Sequence, residues 1–202
     1  MESAKITAFA SHFDLALEEE RAQKIATWLT LLSTWNKKLD LTAAKTETDL
    51  LDVMLADAFV LAKHVRENAH AVDVGSGAGA PGLPLALARP DLKMTLVEPL
   101  TKRVSFLRTV LGETKRADIE IKRTRASELP REAFDIAISR ATLAPEKWLA
   151  EAATLLAENG EAFVLLAKEE APNRQDLRQI ESISYTWPGS GHARMLVRYA
   201  KK

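Results

Sequence analysis

One stretch limits what this chain can become: Ala71-Val72-Asp73-Val74-Gly75-Ser76-Gly77-Ala78-Gly79-Ala80-Pro81-Gly82. Val72 and Val74 lie in a brief apolar run, which is how a parallel strand covered on both faces reads. Glycines at alternating positions follow. Pro81 then suits the first turn of a helix, where its missing N–H leaves nothing unpaired. Glycine reaches positive φ without strain, and without a Cβ it lets a ligand lie against bare backbone. The stretch predicts a strand–loop–helix whose N-terminal amides face a ligand at the carboxyl edge of a sheet. Gly77-x-Gly79-x-x-Gly82 also fits the dinucleotide fingerprint, so the glycines leave the choice of nucleotide open.

Two acids add to this. Asp73 stands on the strand just before the first glycine, where a carboxylate is costly to bury unless something pairs with it. Met94-Thr95-Leu96-Val97-Glu98 reads as the next strand. It ends in an acid about 20 residues downstream, placed to take two ribose hydroxyls. Dinucleotide enzymes and S-adenosylmethionine (SAM) enzymes both use such an acid, so Glu98 indicates an adenosine cofactor without choosing between them.

Residues 1–67 read as a helical extension packed on a sheet domain, 68–202. Ile6, Phe9, Phe13 and Leu17 form one helical stripe, and Ile25, Trp28, Leu29, Leu32, Trp35 and Leu39 a second. Trp28 and Trp35 read as core or as stacking platforms for bases, core being the ordinary role of aromatics at helical spacing. Thr46-x-x-Asp49 resembles a helix start. From Ala71 strands and helices alternate, the pattern of a doubly wound α/β sheet. A helix from Thr101 to Leu111 is expected to stop at Gly112, and one opened by Pro145 to close at Asn159-Gly160. Further strands are expected at Ile119 to Lys122, Phe134 to Ser139 and Ala162 to Ala167. A closing hairpin is expected from Ile183 to Trp187 and Met195 to Tyr199. An extra antiparallel strand in that last position is typical of SAM-dependent methyltransferases.

These segments follow the order found in one family. The glycine loop with Pro81-Gly82-Leu83-Pro84-Leu85 is followed by Pro90, Leu96-Val97-Glu98, Lys102-Arg103-x-x-Phe106-Leu107-Arg108, Arg125 and Phe134-Asp135-x-x-x-Ser139-Arg140-Ala141. Upstream stands Trp35-Asn36-Lys37-Lys38-Leu39-Asp40-Leu41-Thr42. Together they resemble the glucose-inhibited division protein B family, also called RsmG, over nearly the whole chain. The resemblance implies a Rossmann-like class I methyltransferase with a mostly parallel seven-stranded sheet, using SAM to methylate guanine N7 in small-subunit (16S) ribosomal RNA. It also implies cofactor contacts from Gly75, the backbone of Ala80, Ala126, Ser127 and Arg140, with Glu98 on the ribose, and Asp73, Gly77 and Gly79 of the same loop are expected beside them. Arg140 would orient the cofactor or stack on the base, and Asp40 would contact the guanine edge.

The sequence departs from the family at a few places. Asp40 replaces the usual Asn, Val53-Met54 an Arg-His pair, and Ala80 a bulkier apolar residue, while the usual Lys-Gly is displaced at Ala167-Lys168-Glu169. Two other readings therefore stay open: a diverged methyltransferase with another substrate, and a non-catalytic RNA- or ribosome-binding protein. A nicotinamide oxidoreductase fits less well, because no proton-relay residue accompanies the loop.

Composition bears on partners and compartment. The chain has 202 residues, no cysteine, and 28 basic against 28 acidic side chains. Disulfides, thiolate catalysis and cysteine zinc sites are excluded, and no metal spacing links His12, His64, His70 and His192. No apolar run approaches the roughly 18 residues of a membrane helix, and the start lacks a signal-peptide core. A soluble cytoplasmic monomer is expected. With no net charge, RNA binding needs a local patch, and Lys102, Arg103, Arg108, Lys115, Arg116, Lys122, Arg123 and Arg125 would make one if they gathered on one face.

Overall fold

The computed structural model describes residues 1–140 and 142–202; Ala141, the last residue of the Ser-Arg-Ala stretch, lies outside them. The chain opens with α1 (Ser3–Ser11) and α2 (Glu19–Leu39). Ile25, Trp28, Leu29 and Leu32 of α2 are all buried, as their spacing predicts. Trp28 has no exposed surface, and its indole N–H donates to the Ala78 carbonyl at 3.0 Å. Trp35 packs against Phe106 with ring centroids 5.5 Å apart. Trp28 belongs to the core, and Trp35 is half-buried and packs against it.

Helix α3 (Glu47–Leu51) starts where Thr46 and Asp49 predict. The Thr46 hydroxyl accepts the Asp49 N–H at 3.0 Å, and the Asp49 carboxylate accepts the Thr46 N–H at 3.1 Å. Such a capping box is worth about 1 kcal/mol. The helix continues through a π-helical turn, Asp52–Ala56, into α4 (Asp57–His64).

The sheet domain runs β1 (His70–Val74), α5 (Gly82–Ala88), β2 (Lys93–Val97), α6 (Thr101–Glu113), β3 (Glu120–Lys122), a 3₁₀ turn at Ala126–Glu128, and β4 (Phe134–Ser139). It ends with α7 (Pro145–Leu155), β5 (Leu156–Leu166), β6 (Leu177–Thr186) and β7 (Ala193–Lys201). The seven strands lie in the order β3-β2-β1-β4-β5-β7-β6, parallel except that β7 runs antiparallel to β5 and β6. The order reverses between β1 and β4, which is where a doubly wound sheet opens a crevice at its carboxyl ends.

Side chains alternate across the sheet with period two. Ala71, Ile136, Ile138, Phe163 and Leu196 join the core with α1, α2, α4, α5 and α6. Val72, Val74, Ala137, Val164 and Val197 face α7, where Trp148 donates to the Phe163 carbonyl at 2.9 Å. Among the described residues no helix is long and apolar enough to cross a membrane.

Two predicted helix ends move. Helix α7 stops at Leu155 and passes directly into β5, so Asn159-Gly160 closes no helix. Asn159, at φ 60°, instead sits in the bulge where the β4–β5 register slips between Phe134 and Ile136. Helix α6 runs past Gly112, and Lys115, at φ 53°, takes the left-handed position. Both segments supply left-handed residues, but sheet register and packing decide where they are used.

Removing the indole tests the link between α2 and the glycine loop. Trp28→Ala is expected to lower unfolding free energy by about 3–5 kcal/mol in chemical denaturation, the usual cost of deleting a buried tryptophan. A loss below about 1 kcal/mol would show that the contact does not hold the loop.

Candidate active site

The glycine loop is built on Asp73. This side chain is fully buried, and its Oδ2 accepts the Gly82 N–H at 3.1 Å. A Cβ on Gly82 would lie 2.5 Å from the Asp73 Cβ, so only glycine lets α5 begin so close to the strand. Oδ1 has no partner among the described residues. Burial pushes the Asp73 carboxyl up to about 7, against the Ser76 hydroxyl, the Gly82 N–H and the charge of Arg140, while Glu98 adds to the rise.

The rest of the loop is tied to β2. Gly75 and Ser76 donate to the Val97 carbonyl at 2.8 and 3.0 Å, and the Ser76 hydroxyl accepts the Val97 N–H at 3.2 Å. Gly75 has φ 77°, and a Cβ there would run into the Thr142 side chain. Bare backbone is thus required at the point where the chain leaving β4 crosses the loop.

Two cavities flank this crossing. The first, about 260 Å³, is lined by Gly75, Val97, Pro99, Arg125, Ala126 and Ser127 among others. The second, about 360 Å³, is lined by Val53, Asp57, Arg140, Tyr185, Trp187 and Arg194 among others. Leu143 belongs to both walls, so the cavities adjoin.

The expected cofactor residues divide between wall and support. Gly75, Ala126 and Ser127 line the first cavity and Arg140 the second. Asp73, Gly77, Gly79 and Ala80 line neither and form the body of the loop. Glu98, expected on the ribose, also lines neither and is 2% exposed. Its Oε2 accepts the Gly77 N–H at 3.0 Å, its Oε1 accepts the Leu100 N–H at 2.9 Å, and Arg103 lies 3.6 Å away. The reason is electrostatic: a carboxylate taken out of water needs donors, and the loop amides supply them. Glu98 braces the loop.

Arg140 is held by Val53, one of the departures from the family, and by Asp57, an acid that none of the motifs marks. It donates to the Val53 carbonyl on the π-helical turn and to Asp57 Oδ2 at 3.0 Å. Asp57 is 3% exposed, and its Oδ1 accepts the Tyr185 hydroxyl at 2.7 Å and the Trp187 indole N–H at 3.0 Å. Burial pushes the Tyr185 hydroxyl above its ordinary range, and the Asp57 charge adds to this, so the phenol stays protonated as a donor. Asp52 anchors the same hairpin by accepting the N–H groups of Gly189 and Ser190 at 2.9 and 2.7 Å. The signal for both acids was present: each interrupts an otherwise apolar helical run.

The expected basic patch is thinner than the sequence suggests. Arg116 is buried, forks onto Asp118 and donates to the Ala86 carbonyl at 2.6 Å, so it faces no phosphate. Arg103 and Lys122 lie near Glu98 and Glu120. Lys102, Arg108, Lys115, Arg123 and Arg125 stay exposed.

A family model described as rRNA small subunit methyltransferase G matches residues 21–189. The chain belongs to the RsmG family. A protein of Anaeromyxobacter dehalogenans named ribosomal RNA small subunit methyltransferase G is 32% identical, with both chains covered completely. A namesake from Escherichia coli is 31% identical, covering 89% of this chain and 88% of the relative. The fold is shared with a Burkholderia thailandensis 1,6-didemethyltoxoflavin-N1-methyltransferase solved with S-adenosylhomocysteine. That structure has a TM-score of 0.58 at 14% identity, over 90% of this chain and 87% of that one. The architecture is that of the class I SAM-dependent methyltransferases.

Against the RsmG pattern, Asp40 gains a different explanation. It ends α2 at φ 50°, is exposed and lines neither cavity, so the structure does not bring it to Arg140. Asp and Asn are the non-glycine residues that best tolerate this left-handed position, a backbone reason for either to stand there. Val53, in place of the RsmG arginine, contributes its carbonyl to Arg140 and its side chain to the cavity wall.

The Asp73 carboxyl makes a pH prediction. Its folded pKa is raised, so its contribution to stability is fully present below about 4 and is lost as pH rises toward about 7. Relative to Asp73→Asn, the wild type should lose on the order of 4 kcal/mol over that window and then level off. Parallel pH profiles of the two proteins would refute the buried neutral acid.

Proposed function

We propose that this chain transfers a methyl group from SAM to guanine N7 in small-subunit ribosomal RNA. The observation that carries the reading is the pair of adjoining cavities at the sheet's switch point, one backed by bare glycine backbone and the other holding a fixed arginine. The first cavity suits an adenosyl group: Val97, Pro99 and Ala126 offer apolar walls, and a side chain at Gly75 would fill the space occupied by Thr142. Gly75, Ala126 and Ser127 would hold the cofactor, on a loop braced by Asp73 and Glu98.

When bound, SAM supplies an electrophilic methyl carbon on a sulfonium. Guanine N7 has an in-plane lone pair and no proton, so the chain need not provide a base. What it must provide is alignment, with N7 about 3 Å from the methyl group and in line with the breaking bond. Arg140 is built for that role, since Asp57 and the Val53 carbonyl fix its guanidinium beside the cofactor cavity. Asp57 is fully engaged by its donors and acts as a positioning residue. On this reading the chain works as a cytoplasmic monomer, with Lys102, Arg108 and Arg123 meeting RNA phosphates.

Labelled SAM, incubated with small subunits or naked ribosomal RNA lacking the modification, should yield N7-methylguanine. Calorimetry should show binding of SAM and not NAD. SAM binding without transfer would instead favour a methyltransferase with another substrate or a non-catalytic binder. Arg140→Ala should lower kcat by about 100-fold or more through lost alignment, and full activity in that variant would exclude its role.

A further inference from the structure

Glu169 follows β5 and lines the second cavity together with Arg140, Tyr185, Trp187 and Arg194. Its Oε2 accepts the N–H groups of Ala167 and Lys168 at 2.9 and 3.0 Å, which folds the carboxylate back onto its own turn. The N–H groups of Glu169 itself, Ala167 and Lys168 hold the acid below the ordinary glutamate range, the Arg194 charge adding to this, so it is ionised at neutral pH. Among the described residues the only other residues whose N–H groups reach the carboxylate are Ala167 and Lys168, both on Oε2. A carboxylate offers about four acceptor positions, so Oε1 retains acceptor capacity.

The same cavity supplies donors and a flat face. Arg140 uses Nη1 on Val53 and Asp57, while its other guanidinium N–H groups have no protein partner among the described residues. The Arg194 guanidinium lies 3.9 Å over the Trp187 ring. One cavity thus combines an exposed carboxylate folded onto its own turn, the fixed Arg140 cation and the flat Arg194 guanidinium stacked on Trp187. At about 360 Å³ it falls in the range of roughly 300–1,000 Å³ typical of small-ligand sites.

Guanine matches this set and adenine does not. Its Watson–Crick edge places the N1–H and N2–H donors side by side, next to the O6 acceptor, with N7 beyond O6. Adenine puts an acceptor at N1, whose lone pair would face the carboxylate. An enzyme that acts on a base takes it from the stack and reads the edge thus exposed.

We propose that Glu169 selects the acceptor base: its carboxylate accepts from the N1–H and N2–H edge of guanine while Arg140 donates to O6, leaving N7 free toward the adjoining cofactor cavity. Glu169 occupies the turn where the sequence departs from the usual Lys-Gly, so this is a specificity device of this chain. The inference rests on the methyltransferase reading above.

The test measures methyl transfer by wild type and Glu169→Ala to small subunits reconstituted with RNA carrying guanosine or inosine at the methylated position. Inosine keeps N1–H and O6 and lacks the N2 amino group. With guanosine, Glu169→Ala should lower kcat/KM by about 10- to 100-fold, the discrimination expected of a bidentate base contact, with unchanged SAM affinity by calorimetry. Inosine should cost the wild type about 10-fold and the variant nothing further. Wild-type kcat/KM in Glu169→Ala, or an equal inosine penalty in both proteins, would overturn the Glu169 assignment alone. Failure of the wild type to methylate any RNA would remove the underlying reading and this inference with it.

Discussion

Asp73 lies out of water because β1 is an interior strand, with β2 on one side, β4 on the other and α5 starting directly over its end. A buried carboxyl there has to find donors or give up its charge. The Gly82 N–H gives it one, and only a residue without a Cβ approaches closely enough to do so. That contact sets where the helix begins. The loop between strand and helix then closes on β2 through Gly75, Ser76 and Glu98, which leaves backbone facing the crevice. The cofactor cavity is in this sense the outer surface of a packing solution.

Asp57 plays the corresponding part for the second cavity. It gathers an arginine from the end of β4, a phenol from β6 and an indole from the hairpin tip, while Asp52 one helical turn earlier takes two amides of that tip. The π-helical turn between the two acids turns the Val53 carbonyl to Arg140. Such turns are uncommon and recur at functional sites. The N-terminal helices and the C-terminal hairpin therefore meet at one buried acid, and the cavity exists because they do. Its walls come from residues more than 80 positions apart, Val53 and Arg140 among them.

Local signals were legible where the physics is local. The Thr46–Asp49 box, the buried stripe of α2 and the alternating strands each follow from a repeat or a cap that neighbouring residues decide. The signals failed where distant groups compete. Asn159-Gly160 looks like a helix end but serves a bulge, because β5 must keep register with β4. Arg116 looks like part of a phosphate patch, yet Asp118 and the Ala86 carbonyl draw it into the core.

From the sequence alone come the α/β alternation, the antiparallel last strand, the glycine loop and the family it implies, since periodicity, backbone freedom and motif order are properties of neighbours along the chain. Tertiary structure decided which of the chemically capable side chains reach a cavity. Arg140 and Glu169 do; Asp40 and Arg116 do not. A charged group's position depends on the partners that compensate its desolvation, and those partners are brought to it by the fold.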